Sequence, residues 1–239
     1  MKNVTVRVLL NATSQQRSQL RALQVTFAQA CNSLMPLVRQ TGCWNRVALH
    51  HMAYRALRTA YPALGSQMAC NVIYSVSRTC RVAYQHPASP VNLQRLEGGA
   101  LPNLQFLPSS PVYFDRHTLS LRDNHASLFT LDGRIRFSVA LPPAVEQRFR
   151  TDKLRETILT SEGDTFVLTF HLQASTAPPS SSKFTGKERL NLDHVRILHT
   201  SADTDEDASQ SAWHAPKFAT PADPPINPKK ITPRTDAPT

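Results

Sequence analysis

The sequence predicts an α+β fold, in which a small antiparallel β-barrel contains an inserted three-helix lobe and precedes a largely disordered tail. Residues 3–10 alternate in the manner of a strand, and residues 14–86 repeat apolar side chains at helical spacing. Short β-type segments follow between residues 112 and 172. The final 67 residues hold nine of the eighteen prolines and show no sustained apolar period, which is typical of disorder.

These patterns divide the chain into four parts. The first strand of the barrel occupies residues 1–12, and the helical lobe occupies residues 13–90. The remaining barrel strands occupy residues 91–172 and the tail residues 173–239. Because the helices separate the first strand from the other strands, the lobe is expected to be an insertion in the barrel.

The helices of the lobe are bounded by capping signals. Thr13 and Gln16 have the spacing of a capping box, and the apolar repeat that follows ends near Gly42. The second helix is expected to start at the Asn45 cap and to stop before Pro62, and the third to run from a Ser66 cap to about residue 84.

The β region is expected to contain short strands separated by turns. Residues 88–110 have loop composition, and Asp132-Gly133 is a hairpin signal. A short helical turn is expected at 144–150, and one short element at most in 187–199. The predicted strands cover residues 112–115, 118–122, 127–131, 135–141, 153–161 and 165–172.

Positive charge is concentrated at the start of the chain. Residues 1–96 contain eleven Lys and Arg and no Asp or Glu, and the first acidic residue is Glu97. The remaining segments sum to about zero, so this block carries the whole excess of +10. Arginine supplies seventeen of the nineteen cations up to residue 172, and its planar head suits phosphate contacts. The pattern therefore favours a polyanionic partner over a merely solvated surface.

Several other classes of function are disfavoured. No apolar run approaches the ~20 residues of a membrane span, no secretory signal is recognisable, and no glycine-rich nucleotide motif occurs. We expect a cytoplasmic protein with no membrane partner and no cofactor. The four cysteines lack paired spacing, and Cys43 with His50 and His51 is only a loose cluster, so no metal site is predicted.

The candidate nucleic-acid-binding residues are pairs of arginines that share a helix face, together with nearby aromatic and amide side chains. Arginines contact phosphates, tyrosines stack on bases, and amides bond base edges. Each also has a plain structural interpretation as a solvated, packed or capping residue. The candidates are Arg17, Arg21, Tyr54, Arg55, Arg58, Gln67, Asn71, Arg78, Arg81 and Arg134.

Residues 1–172 resemble the N-terminal half of the TnpB/OrfB family of insertion-sequence proteins, which are related to the type V CRISPR effectors. The matching pieces occur in order: Phe27 with ACN at 30–32, Asn45 through Tyr61 with Leu49-His50, Tyr54 and Leu57-Arg58, LGSQMA at 64–69, and VYFD at 112–115 followed by LDGRI at 131–135. The resemblance implies a wedge-type barrel with a helical recognition lobe. It also implies binding of a structured, guide-type RNA and of an RNA-guided double-stranded DNA target.

The chain departs from that family where a RuvC nuclease domain should begin. It has no strand with the family's first catalytic Asp, no CxxC zinc ribbon, and only an acidic run at Asp203, Asp205, Glu206 and Asp207. Two-metal cleavage needs converging carboxylates, so we predict no catalytic residues and no enzyme activity. Two alternatives stay open: one half of a split nuclease with a separate RuvC-bearing subunit, or a remnant of a transposon protein.

Overall fold

Helices and antiparallel strands together build the described part of the chain. The structure, a computed structural model, describes residues 4–96, 101–122, 124–139, 141–173 and 190–198. The helices within it are α1 (Ser14–Thr41), α2 (Arg46–Ala60), α3 (Gly65–Gln85) and α4 (Pro143–Thr151). The strands are β1 (Val4–Leu10), β2 (Asn103–Phe106), β3 (Val112–Phe114), β4 (Leu119–Arg122), β5 (His125–Thr130), β6 (Gly133–Ser138), β7 (Lys153–Glu162), β8 (Thr165–Gln173) and β9 (Val195–Leu198).

All strand pairs in the described residues are antiparallel, and they form three sheets. The central sheet has the order β1-β8-β7-β3, a second has the order β4-β5-β6, and β2 pairs with β9. Strand β1 lies at one edge of the central sheet beside β8, and α1, α2 and α3 come in the sequence between β1 and all the other strands. The predicted α+β class is confirmed.

The first helix forms as its end signals predict. The Thr13 side chain accepts a bond from the Gln16 backbone, and the Gln16 side chain accepts one from the Thr13 backbone. These bonds satisfy two of the helix's initial N–H groups. At the other end Gly42 is left-handed, with φ 63°, and its N–H bonds to the Val38 carbonyl. The predicted apolar side chains between these ends are buried against α3 and the strands.

The second helix starts at its predicted cap, whereas the third does not. The Asn45 side chain accepts bonds from the backbone of Val47 and Ala48 at the start of α2. A short 3₁₀ helix, Pro62–Leu64, leads directly into α3, so Ser66 lies inside the first turn and is not the cap. The predicted Ser66 cap is wrong because Gly65, with φ 68° and ψ 172°, makes the turn one residue earlier.

Helix α3 is the centre of the core. It packs against α1, α2 and β3, and its side chains Met68, Val72, Ile73 and Val76 are buried as predicted. Polar side chains join the helices to the strands, because buried backbone groups need partners. Asn32 of α1 exchanges two hydrogen bonds with the Phe106 backbone, at 2.6 and 2.9 Å.

One strand lies in a predicted loop, and another lies in the segment for which only one short element was predicted. The predicted loop 88–110 contains β2, so that prediction is wrong for Asn103–Phe106. The one short element allowed within residues 187–199 is strand β9, which pairs with β2 in the register Asn103↔Leu198 to Phe106↔Val195. The remainder of the segment predicted to be a disordered tail, 174–189 and 199–239, lies outside the described residues.

Candidate nucleic-acid interface

The outer side of α2 carries cations and rings but no carboxylate. Leu49, Ala53 and Leu57 are buried on its inner side. We call the outer residues the α2 face. They form two rows at four-residue spacing: Arg46, His50, Tyr54 and Arg58 in one row, and Val47, His51 and Arg55 in the other. At 1.5 Å per residue, the first row extends for about 18 Å.

Two rings on the α2 face are already stacked on each other. The His50 and Tyr54 rings are nearly parallel, with centroids 4.7 Å apart and planes 18° apart. Next to them the Val47 side chain is 64% exposed, although the helix offers an apolar inner side. Flat rings and an apolar side chain at the surface are what unpaired bases stack against. Tyr54 is partly buried and packs against the core, so only part of its ring is exposed beside His50.

The arginines of the α2 face differ in the contacts that their side chains make within the chain. The Arg55 side chain is exposed and makes no hydrogen bond or ion pair with any described residue. Arg58 donates to the Pro62 carbonyl at 3.4 Å, which is a long bond. The Arg46 guanidinium lies 5.2 Å from the centre of the Tyr74 ring, a cation–π distance. Arg46 is not among the residues predicted from the sequence, although it has helical spacing to His50 and Tyr54.

Arg17 and Arg21 both have partners within the chain. Arg17 donates to the Ala12 carbonyl at 2.7 Å and to the Ser14 hydroxyl at 3.2 Å, which ties it to the start of α1. Arg21 is exposed and forms an ion pair with Asp164 in the turn between β7 and β8. An exposed pair of this kind contributes little stability, so Arg21 can exchange Asp164 for another anion at small cost.

Arg78 and Arg81 are one turn apart but have different surroundings. Arg78 pairs with Glu156 at 3.3 Å and lies 6.0 Å from the centre of the Tyr113 ring. Burial opposes its charge, but Glu156, Tyr113 and Tyr74 together outweigh that effect, so the pKa of Arg78 is raised. The Arg81 side chain is partly exposed and forms no hydrogen bond or ion pair with another described residue. Of this pair, Arg81 has the guanidinium that is available to a ligand.

Gln67 and Asn71 lie one turn apart on α3 and both bond to the strand region. The Gln67 amide donates to the Asp115 carboxylate. The Asn71 side chain is buried and donates to the Tyr113 carbonyl at 3.0 Å. In this structure Asn71 therefore holds α3 against β3, whereas Gln67 lies at the edge of an open cleft.

That cleft has a volume of about 560 Å³ and lies between the start of α3, the β3–β4 turn and the start of β7. Its two acids are engaged: Asp115 accepts bonds from Gln67 and the turn backbone, and Glu156 accepts from Tyr74 and Arg78. Arg134 borders the same turn, because it donates to the His117 carbonyl at 2.7 Å and to Ser127. The cations lining the cleft, which the sequence reasoning missed, are Arg116, Lys153 and Arg155.

A second cavity, of about 550 Å³, lies beneath the segment that leads into β9. His194 lines it and hydrogen-bonds to the Thr79 side chain at 3.3 Å. Burial lowers the pKa of His194 to about 4, so the ring is neutral at pH 7. Its carbonyl accepts bonds from the Leu107 backbone and the Ser110 hydroxyl, which fix the segment in place.

Nucleophilic and metal-binding side chains are dispersed in this part of the chain. Cys31 and Cys80 are buried, and burial raises the pKa of both thiols, to about 12 for Cys80. Among the described residues no three His, Cys, Asp or Glu side chains come close enough together to hold a metal ion, and Cys43, His50 and His51 are no exception.

Within the described ranges, no helix has both the length and the apolar character needed to cross a bilayer. Comparison of the sequence with protein-family models and with curated proteins gives no match.

Proposed function

We propose that the chain is a nucleic-acid-binding protein of the TnpB type that binds a structured, guide-type RNA through its helical lobe and cuts no phosphodiester bond. An RNA-guided DNA target is its second partner. On this proposal the protein works in the cytoplasm, and the central sheet and its neighbours correspond to the wedge-type barrel of that family.

The observation that carries the proposal is the α2 face. It presents Arg46, Arg55 and Arg58 beside the stacked His50 and Tyr54 rings, and it lies within a block of 96 residues that contains no carboxylate. The arginines of the α2 face are spread over about 18 Å, from Arg46 to Arg58, so they can reach several successive phosphates, which are several ångströms apart along one strand. Stacked rings between the cations supply contacts that tolerate any base.

The absence of a recognisable nuclease motif supports the non-catalytic half of the proposal. The chain contains none of the family's RuvC signatures, and the acidic run at 203–207 follows β9 without the alternating pattern of a strand. Cleavage of DNA by the purified chain with Mg²⁺ and a guide RNA would contradict this half alone.

Filter binding of a structured RNA across a salt series tests the binding half. Each phosphate neutralised by a cation adds about −0.7 to −0.9 to the slope of log K against log salt concentration, so several contacts give a steep negative slope. A slope near zero would remove the electrostatic basis of the proposal.

Paired variants locate the interface. In R55Q/R58Q we expect weaker RNA binding and a slope shallower by about 1.5 to 2, because two phosphate contacts are lost. The matched control is R148Q/R150Q, which removes two arginines from α4, and we expect its slope to stay within about 0.5 of the native value. Equal effects of the two variants would indicate that binding follows net charge and not the α2 face.

A further inference from the structure

Three arginines come from segments that meet at the end of α3, where Tyr84 lies. Arg81 lies one turn before Tyr84, and Arg39 lies in the last turn of α1. Burial raises the pKa of Tyr84, and the nearby charge of Arg39 opposes that effect. The Tyr84 carbonyl accepts a bond from the Leu93 backbone at 2.9 Å, which brings Arg95, two residues further on, to the same end of the helix. We call Arg39, Arg81 and Arg95 the Tyr84 cluster.

The Tyr84 cluster lacks counter-charges in the part of the chain that the structure describes. None of its three guanidinium groups forms a hydrogen bond or an ion pair with another described residue. Three like charges at one helix end repel one another unless an anion lies between them. The cluster is therefore a candidate for binding an anionic group.

The carboxyl end of β9 lies close to Tyr84. Leu198, the last residue of β9, pairs with Asn103. The preceding residue, Pro102, accepts a 2.7 Å hydrogen bond from the Tyr84 hydroxyl. Because β2 and β9 are antiparallel, the carboxyl end of β9 lies beside the start of β2, next to Pro102 and hence close to the Tyr84 hydroxyl.

The sequence that follows β9 is acidic. Asp203, Asp205, Glu206 and Asp207 occur within nine residues of Leu198, and the next Lys or Arg is Lys217. Five residues from Leu198 to Asp203 span at most about 17 Å, and nine residues to Asp207 at most about 30 Å. The acidic run is thus tethered within reach of the Tyr84 cluster.

We propose that the acidic segment 203–207 binds the Tyr84 cluster and acts as a built-in competitor of RNA. The contact itself does not depend on the proposed function, whereas the competition rests on it. Each exposed ion pair contributes only about 0–1 kcal/mol, but tethering raises the local concentration of the segment to the order of millimolar. The contact is therefore weak enough for a longer polyanion to displace, and it lowers the apparent affinity of any polyanion that uses the cluster.

Trp44 reports on the contact without any RNA. Its ring packs edge-on against Tyr84, with centroids 5.3 Å apart, and Trp213 is the only other tryptophan in the chain. In the full chain carrying W213F, quenching of Trp44 fluorescence by iodide measures how far the positive charge of the cluster attracts an anion. Quenching by neutral acrylamide measures exposure of the ring alone.

Two matched double variants in that background test the proposal. D205N/D207N and D223N/D236N each remove two aspartates from the sequence after β9. We expect D205N/D207N to raise the iodide quenching constant roughly twofold at low ionic strength, with acrylamide quenching unchanged. We expect D223N/D236N to leave both constants near their native values. In 1 M salt the difference should vanish, since the Debye length falls to about 3 Å.

RNA binding is measured on the same variants. D205N/D207N should bind a structured RNA several-fold more tightly than D223N/D236N at low salt. Equal iodide constants for the two variants would overturn the contact, whatever the RNA result. A clear iodide difference without RNA binding by any variant would keep the contact and reject the proposed function. An iodide difference with equal RNA affinities would reject the competition.

Discussion

The Tyr74 hydroxyl donates a 2.6 Å hydrogen bond to a carboxylate oxygen of Glu156, which joins the middle of α3 to β7. Arg78 reaches the same oxygen at 3.3 Å, and the Glu156 side chain is only 12% exposed. Burial and the adjacent Glu156 charge raise the pKa of Tyr74 to about 12, so its hydroxyl stays a donor at neutral pH. This group fastens the helical lobe to the central sheet.

Replacing Glu156 should therefore destabilise the protein. We expect E156Q to lower the free energy of unfolding by about 1–3 kcal/mol, because the half-buried Arg78 loses its counter-charge. Urea denaturation measures the change, with an unaltered dependence on urea concentration.

The control for E156Q is E162Q, which removes another Glu–Arg pair of the same strand. Glu162 and its partner Arg7 are both more than half exposed, so we expect a loss of less than about 1 kcal/mol. Equal losses in the two variants would show that Glu156 contributes no more than a surface ion pair.

Acid should release the segment that contains β9. The pKa of His194 is about 4 in the folded protein and about 6.5 when the segment is released, because burial penalises the charged ring. Above pH 6.5 the His194 ring is neutral in both states, so its burial is not opposed by charge. As the pH falls from 6.5 to 4, the folded position of the segment that contains β9 loses stability. At pH 5 this loss amounts to at most about 2 kcal/mol.

Hydrogen exchange of the β9 amides measures this release, after correction for the intrinsic pH dependence of exchange. Protection of Val195–Leu198 should fall between pH 7 and pH 5 in the native chain and change less in H194Q. The exposed His51 provides the control, since H51Q should retain the native pH response. An unchanged pH response in H194Q would assign the release to other groups.

Gly65 should tolerate a side chain less well than Gly42. Both have positive φ, but a Cβ on Gly65 would lie 3.3 Å from the Phe129 ring, whereas one on Gly42 meets nothing within 4 Å. The φ and ψ of Gly65 also fall in a region that is essentially restricted to glycine. We expect a loss of about 3 kcal/mol for G65A and about 1 kcal/mol for G42A in thermal or urea unfolding. If G65A lost no more stability than G42A, the Phe129 ring would be able to move aside without loss of stability.

The cysteines should separate into two classes in a thiol titration. Cys43 and Cys70 are partly exposed, whereas Cys31 and Cys80 are buried with raised pKa values. Because the thiolate is the reactive form, we expect an aromatic disulfide reagent to modify two thiols in the native protein and four in denaturant. Burial also raises the pKa of Cys70, so C70A should remove the slower native phase. Native modification of Cys31 would indicate local opening of the core.

Local signals predicted the helices and hairpins well because they act over a few residues. The Thr13 and Asn45 caps, the Gly42 end and the β7–β8 hairpin are each fixed by neighbours in the sequence. Strand β2 was not predicted, and β9 was predicted only as an unspecified short element. Each is stabilised by a partner about ninety positions away, and β2 also by Asn32 of α1. A four-residue strand carries too little pattern to predict its own pairing.

The same limit applies to the candidate interface. Helical spacing predicts which arginines share a face, as it does for Arg55 and Arg58 on α2. It does not predict that Arg21 meets Asp164 or that Arg78 meets Glu156, because these acids belong to the distant β7–β8 hairpin. Which cations remain available is decided by tertiary structure.

The pairing of β1 with β8 has a consequence for synthesis of the protein. The partner of Val4–Leu10 is Phe166–Leu172. More than 150 further residues must therefore be translated before the β1–β8 hydrogen bonds can form. Until then the nascent chain exposes an unpaired strand, while α1, α2 and α3 can already pack together. Closure of the central sheet is thus a late step. A ribosome stalled before residue 166 would carry a folded helical lobe whose first strand, β1, is still unpaired.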